Sequence, residues 1–375
     1  MKKYINYCLI GFIVICILVS IFLDPKKIFS KSEKEADPSP VSAIVTEEQH
    51  AEQFFIDVPD KWTEVIDDKN SIYARIDVPD TISTKGFRKA FATKKDIPEE
   101  PLLALMEDYH PYQEFVADDM IQYLGDDNMH LFFNKEPLVG ISFTCSTYDY
   151  YSMAYRDGLT YDYNRDKYAI DQEVEGFSLE ECDDRIRNLC TSIGMDGEIQ
   201  IVHRALDYRI MKEEAIELHM DGTQTRPDYA WSQADNGYRC SISQLCNDIP
   251  VIDSTIIRFR GDILNSTDHW CFLNRERYID FLFNDIYDIQ YEDTYGKLLD
   301  FPEIIEKYKE YTGLTIQDCS TEITDIIMRV MPADQGNGSY EMIPLWVFYG
   351  NSYYEEDDME MAYVVIINAI TGERL

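Results

Sequence analysis

Residue types able to carry chemistry are plentiful in this chain and almost never grouped. Six histidines, His50, His110, His130, His203, His219 and His269, stand far apart. No His-x-x-x-His pair would set two imidazoles on one helical face, so helical zinc-hydrolase chemistry has no support. Gly336-x-Gly338 is the only Gly-x-Gly, with Glu341 in the sixth place, and there is neither a Walker loop nor a Gly-x-Ser-x-Gly elbow. The 70 acids offer carboxylate pairs at almost any spacing, so glycosidase-type pairing discriminates nothing. The acidic run Asp334 to Glu341 puts glycines where an EF-hand needs ligands.

Nine cysteines are present. Cys8 and Cys16 lie in an apolar opening stretch, leaving Cys145, Cys182, Cys190, Cys240, Cys246, Cys271 and Cys319. That number is odd, so at least one thiol stays unpaired in a monomer. No Cys-x-x-Cys occurs, and the spacings match neither a zinc site nor a disulfide framework. Several fall on apolar faces, where free cysteine behaves as a small hydrophobe. An oxidising compartment would make such thiols a liability.

The densest chemical signal is aromatic. Between Leu138 and Asp171, Tyr148, Tyr150, Tyr151, Tyr155, Tyr161, Tyr163 and Tyr168 alternate with acids, which predicts a β-rich ribbon turning at Asp157-Gly158. Tyr148, Tyr150, Tyr161 and Tyr163 form the candidate surface for a protein partner or a glycan. Aromatics are equally enriched on strand faces for packing alone. Trp346, between Leu345 and Val347, is expected in the core. No catalytic, cofactor-binding or metal-ligating residue is assigned.

These residues must be positioned by elements that begin with the run Ile5 to Leu23, 19 residues that as a helix span ~28 Å, close to the ~30 Å hydrocarbon core. The run exceeds the ~7 to 15 residues of a signal-peptide core, and no small-x-small cleavage site follows closely. An uncleaved single-pass anchor is expected, with residues 1–4 cytoplasmic and the large domain outside the cytoplasm. Lys26, Lys27, Lys31 and Lys34 at the far end weaken the positive-inside signal for that orientation.

The formal charge is −36; residues 1–34 contribute +4, so the remainder carries −40. That charge repels nucleic acid and anionic headgroups. With 45% hydrophobic residues the chain can bury a sizeable core. Residues 24–48, rich in Lys, Glu, Ser and Pro, read as a linker. Ile56-Asp-Val-Pro-Asp60 recurs as Ile76-Asp-Val-Pro-Asp80, each predicted to be a strand stopped by proline. Helices are predicted for Pro101 to Tyr109 and Pro111 to Leu124, the second with Phe115, Val116, Met120, Tyr123 and Leu124 on one face.

Ser178-Leu-Glu-Glu181 is a capping box, and Leu179, Cys182, Ile186, Leu189, Cys190 and Ile193 then recur at helical spacing. Strands are predicted for Ile199 to Ala205, Tyr238 to Leu245, Val251 to Phe259 and Arg277 to Tyr291. A second capped helix starts at Asp300 with Glu303. Three strands follow, Glu322 to Met331, Tyr340 to Tyr349 and Met361 to Ala369, the last apolar on both faces and therefore expected at the centre of a sheet.

One helix and three strands ending in Ile367-Asn-Ala-Ile-Thr-Gly-Glu373 resemble the PepSY module over about Asp300 to Leu375. A looser likeness begins at Phe177. There Gly237-Tyr238, Ile249-Pro-Val-Ile252 and Phe283-Asn-Asp-Ile286 resemble membrane-anchored regulators of cell-wall sensor kinases in Gram-positive bacteria. Pro344-Leu-Trp346 is similar to uncharacterised envelope proteins of anaerobic Firmicutes. The resemblance implies a regulatory binding role, with a sensor kinase or protease as partner, and supplies no catalytic residues. The expected architecture is α+β: an N-terminal α+β domain over 49–170, then tandem helix-plus-three-strand modules over 171–299 and 300–375. The expected function is a non-catalytic extracytoplasmic interaction protein without a cofactor; the alternative is a carbohydrate or cell-wall binding protein with weak hydrolase activity.

Overall fold

The computed structural model describes residues 58–80, 82, 86–117, 119–135, 139–155, 164–218, 223–252, 269–313, 319–354 and 359–375. Strands β1 (Lys61–Val65), β2 (Asn70–Asp77) and β3 (Phe87–Lys94) precede a short helix, α1 (Glu99–Leu105). Next come β4 (Tyr112–Val116), β5 (Met120–Gly125), β6 (Met129–Asn134) and β7 (Gly140–Cys145), paired in succession as an antiparallel meander. Then follow α2 (Tyr150–Ala154), α3 (Leu179–Ser192), β8 (Ile199–Leu206), α4 (Tyr208–Glu214) and the two-residue strands β9 (Glu217–Leu218) and β10 (Gln224–Thr225). The chain continues through β11 (Gly237–Cys246), β12 (Ile249–Pro250), β13 (His269–Asn274), β14 (Tyr278–Asn284) and β15 (Tyr287–Gly296). It ends in α5 (Phe301–Gly313), β16 (Ser320–Asp334), β17 (Ser339–Tyr354) and β18 (Met359–Asn368).

Two large sheets organise these strands. One has nine strands in the order β12-β11-β13-β14-β7-β6-β5-β4, with β8 also on β11. The other has seven, β1-β2-β16-β17-β3-β15, with β18 on β17. The first packs one face against α1 and α3, burying Leu131, Ile141, Phe143, Ile186, Leu189 and Phe281. Its opposite face holds an aromatic cluster with α2 and α4 that includes Tyr150, Tyr151, Tyr155, Tyr168 and Phe272. The second sheet packs on α5, where Tyr308 stacks on Phe348 at 4.5 Å between ring centroids and Trp346 is fully buried, as expected. The sheets meet at Gln244 and Tyr287, whose side-chain amide and backbone exchange two hydrogen bonds of 2.9 Å.

The architecture corrects the α+β expectation. The described chain is mostly β, and its C-terminal half does not form tandem helix-plus-three-strand modules. Although β16, β17 and β18 follow α5, β16 pairs in parallel with β2, and β17 pairs with β3. A helix and three strands alone would leave strand edges open; strands from early in the chain close them. Likewise β14 pairs with β7, so β8, β11, β13 and β14 share one sheet with the preceding meander. The anchor Ile5–Leu23, the other part of that expectation, lies outside the described residues; among those described, no helix is long and apolar enough to cross a membrane.

Three local expectations also change. Pro111 to Leu124 is not a helix but the β4–β5 hairpin, because the apolar spacing read as 3.6-fold is met by two strands flanking a turn at Ala117. Among the described residues within Leu138 to Asp171 only β7 is a strand, and Tyr150–Ala154 is helical; Asp157-Gly158 lies outside the described residues. Finally, β17 is the one strand with which β18 pairs among the described residues, and its other side meets only the C-terminal segment, through the Ile367–Arg374 bridge, so β18 lies at the edge of the sheet and not at its centre. Its Val365 and Ile367 enter one core cluster and Ile366 another, which explains a run apolar on both faces.

Candidate functional site

Local sequence positions the first component of a buried thiol–imidazole cluster. Ser178 Oγ accepts from the Glu181 amide at 3.1 Å and the Glu181 carboxylate accepts from the Ser178 amide at 3.2 Å, starting α3 at Leu179. Cys182 is thereby turned inward with Ile186, Leu189 and Cys190, at the +4, +7 and +8 positions of one helical face. Beneath it, β8 and β11 pair antiparallel with His203 directly opposite Cys240, and Cys271 on β13 lies opposite Cys240 from the other side. Cross-strand partners share a face, so helix docking adds Cys182 to a row already containing His203 and Cys240.

The resulting geometry is tight. Cys182 Sγ lies 3.5 Å from Cys240 Sγ, and one donor atom each of Cys182, His203 and Cys240 falls within 4.8 Å of the others. Both cysteines are 0% exposed and His203 is 6% exposed. The imidazole is held between two carboxylates: Asp171 Oδ1 is 3.1 Å from Nδ1 and Asp183 Oδ1 is 2.9 Å from Nε2. Asp171 sits at φ 48°, in left-handed backbone that aspartate tolerates. Its amide donates to the His203 carbonyl at 3.0 Å while its carboxylate accepts from the His203 amide at 3.1 Å.

Charge is unevenly shared across the cluster. The hydrogen bond with Cys240 draws the Cys182 thiol down to about 7 against the effect of burial, with His203 adding to it. Burial pushes Cys240 well above the ordinary thiol range, reinforced by Cys182. Burial alone would lower His203, but Cys182, Asp171 and Asp183 together raise it to about 9. These are the residues able to hold a metal, and they form the one such group of three among the described residues. No spacing rule could find it, because its members come from three separate elements.

The predicted tyrosine surface is divided. Tyr148 is half-buried beneath the Arg277 guanidinium, 4.9 Å from ring centroid to Cζ. Tyr150 is 5% exposed; it stacks on Tyr229 with ring centroids 3.7 Å apart, and its hydroxyl reaches Tyr229 Oη at 2.6 Å and Asp235 Oδ1 at 3.1 Å. Tyr161 and Tyr163 lie outside the described residues. The seven cysteines beyond the opening stretch are all free and buried.

Two further features face solvent. A polar cleft of about 420 Å³ lies where β3, β11 and β15 approach, lined by Arg88, Asp196, Glu198, Asp248, Asp288 and Tyr291 among others. At the far end of the nine-stranded sheet, β4 pairs only with β5 among the described residues, and all five of its residues are exposed. Three carry large apolar side chains: Tyr112, Phe115 and Val116 are 55%, 48% and 57% exposed.

The class defined by this fold is a mostly β protein of two large sheets, with a buried Cys–His cluster and an exposed apolar edge strand. No family model matches the chain, and no curated protein matches it. Among solved structures it is similar to an uncharacterised protein from Eubacterium rectale ATCC 33656, determined at 1.45 Å, with 15% identity and a TM-score of 0.59. The match covers 84% of this chain and 93% of that one, and at that identity it is a likeness of fold alone.

Proposed function

We propose that the chain is a non-catalytic regulatory or interaction protein, tethered to a membrane through Ile5–Leu23 with its large domain outside the cytoplasm. It docks a protein partner by receiving a strand along β4. The observation carrying this reading is that β4, the last strand of its sheet among the described residues, is exposed at every position, with Tyr112, Phe115 and Val116 at its surface. A sheet edge offers unpaired amides and carbonyls to any extended segment, and natural edges are usually blunted by charge, proline or cover. β4 carries one charged residue, Glu114, and no proline. Strand addition satisfies the backbone while alternate side-chain contacts select the partner. Burying the exposed half of each apolar side chain contributes roughly 1 kcal/mol per residue.

The test is a photocrosslinking amino acid at Phe115, compared with one at the exposed Glu180 on α3, in membranes of cells expressing the full chain. A discrete protein adduct formed from position 115 and absent from position 180 is expected. No adduct at 115, or the same pattern from both positions, removes the edge-strand reading.

A further inference from the structure

We propose that Cys182, His203 and Cys240 bind a zinc ion. The donors are two sulfurs and one imidazole, a set that favours zinc over hard cations. In a tetrahedral centre with Zn–S bonds of about 2.3 Å, two thiolates stand about 3.8 Å apart; here the sulfurs are 3.5 Å apart. Closing that gap to a disulfide of ~2.05 Å would draw the sulfurs together by about 1.5 Å, whereas inserting an ion asks for only a small separation.

The surroundings are those of a ligand set rather than of inert core cysteines. A metal-binding histidine commonly gives its second ring nitrogen to a carboxylate, which fixes the tautomer; Asp171 Oδ1 occupies that place on Nδ1 at 3.1 Å. The left-handed Asp171 is tied to both backbone groups of His203, so the loop before α3 is built around this contact. Nε2, which contacts Asp183 Oδ1 at 2.9 Å, turns to the ion on binding, and the trio leaves the fourth position to an oxygen ligand such as water. The trio itself is buried, while Asp171 and Asp183 flank it with side chains 58% and 39% exposed; a divalent cation held there is neutralised by the two thiolates formed as it binds. Buried charges persist only when so paired.

The test uses the full-length chain, purified reduced, stripped with chelator and titrated with Zn²⁺ or with Co²⁺ as a spectroscopic substitute. Expected are uptake near one ion per chain, the visible bands of tetrahedral thiolate-bound cobalt, and a rise in Tm with zinc that chelator reverses. Cys182→Ala and His203→Gln each abolish the bands, whereas Cys271→Ala, a buried cysteine outside the trio, retains them. Should the ligand variants fail to fold, X-ray absorption of the zinc-loaded wild-type chain decides: two sulfur neighbours uphold the site. Folded wild-type protein without cobalt bands, bands that persist in Cys182→Ala, or a zinc spectrum without sulfur overturns it.

Discussion

A single carboxylate oxygen, Asp171 Oδ1, accepts from both the backbone amide and the ring Nδ1 of His203, each at 3.1 Å. This double contact joins the loop before α3 to β8 and orients the imidazole toward α3. Asp171→Ala removes both hydrogen bonds and places alanine at φ 48°. It is expected to lower stability by about 1 to 2 kcal/mol in urea unfolding. Asp171→Asn keeps an acceptor and tolerates the backbone, so it should cost less than about 1 kcal/mol. Equal losses in the two variants would mean that the charge, not the geometry, dominates.

Gly350 on β17 sits directly against the backbone of the neighbouring strand in the seven-stranded sheet. A Cβ there would lie 1.9 Å from the Glu322 carbonyl oxygen and 2.7 Å from Ile323 Cα. Both atoms belong to the paired strand β16, beside its bulge between Ile323 and Asp325, and cannot rotate away. Gly350→Ala should therefore destabilise by about 3 kcal/mol or more. A thermal melt unchanged from wild type would contradict this packing.

His130 on β6 stacks on Phe132 at 6.2 Å, and burial lowers its basicity below the ordinary histidine range. The unfolded chain therefore takes up this proton at a higher pH than the folded one. The stability associated with neutral His130 is complete above ~6.5 and is lost as pH falls toward the folded-state value. Denaturant midpoints between pH 7.5 and 5, chosen about the ordinary histidine value, should show a smaller acid loss in His130→Gln than in wild type. An identical pH slope in both proteins would remove His130 as its source.

Tyr150 and Tyr148 are adjacent in the tyrosine-rich segment but have different physical roles. Tyr150→Ala should cost about 3 kcal/mol or more through cavity formation. Tyr150→Phe, which loses only the hydroxyl contacts to Tyr229 and Asp235, should cost about 1 kcal/mol. Tyr148→Ala should cost less than Tyr150→Ala, because a half-exposed ring under Arg277 contributes about 1 kcal/mol. Calorimetry on the three variants checks this order, and glycan binding lost in Tyr150→Ala would first have to be separated from unfolding.

The β4 edge predicts a separation of function from stability. Phe115→Lys with Val116→Lys should leave the unfolding midpoint within about 0.5 kcal/mol of wild type, since both side chains are largely in water. With the photocrosslinking residue moved to the exposed Gln113, the same substitutions should abolish the partner adduct by adding charge to the edge. Retention of the adduct would move the docking surface elsewhere.

Features governed by near neighbours in the chain were readable directly. The Ser178–Glu181 box and the inward stripe from Cys182 to Cys190 depend on contacts three to eight residues apart, and the helix formed there. The cores of β8 and β11, and the burial of Trp346, also follow from apolar runs. The same logic failed at Pro111 to Leu124. Its apolar residues suit either period, and the hairpin leaves Phe115 and Val116 on the surface while Ile121 and Tyr123 face the core, so no single consistent apolar face was present to choose between helix and strand.

The amino-acid order alone determined the charge, the apolar opening run, the capped helix and the absence of a familiar catalytic signature, because each is set by composition or by residues within a few turns. Only tertiary packing joined strands from opposite ends of the chain in the seven-stranded sheet and placed His203 opposite Cys240 with Cys182 above them. Register and helix docking are settled by burial summed over a whole sheet. That sum links residues tens to hundreds of positions apart, beyond the reach of any local spacing.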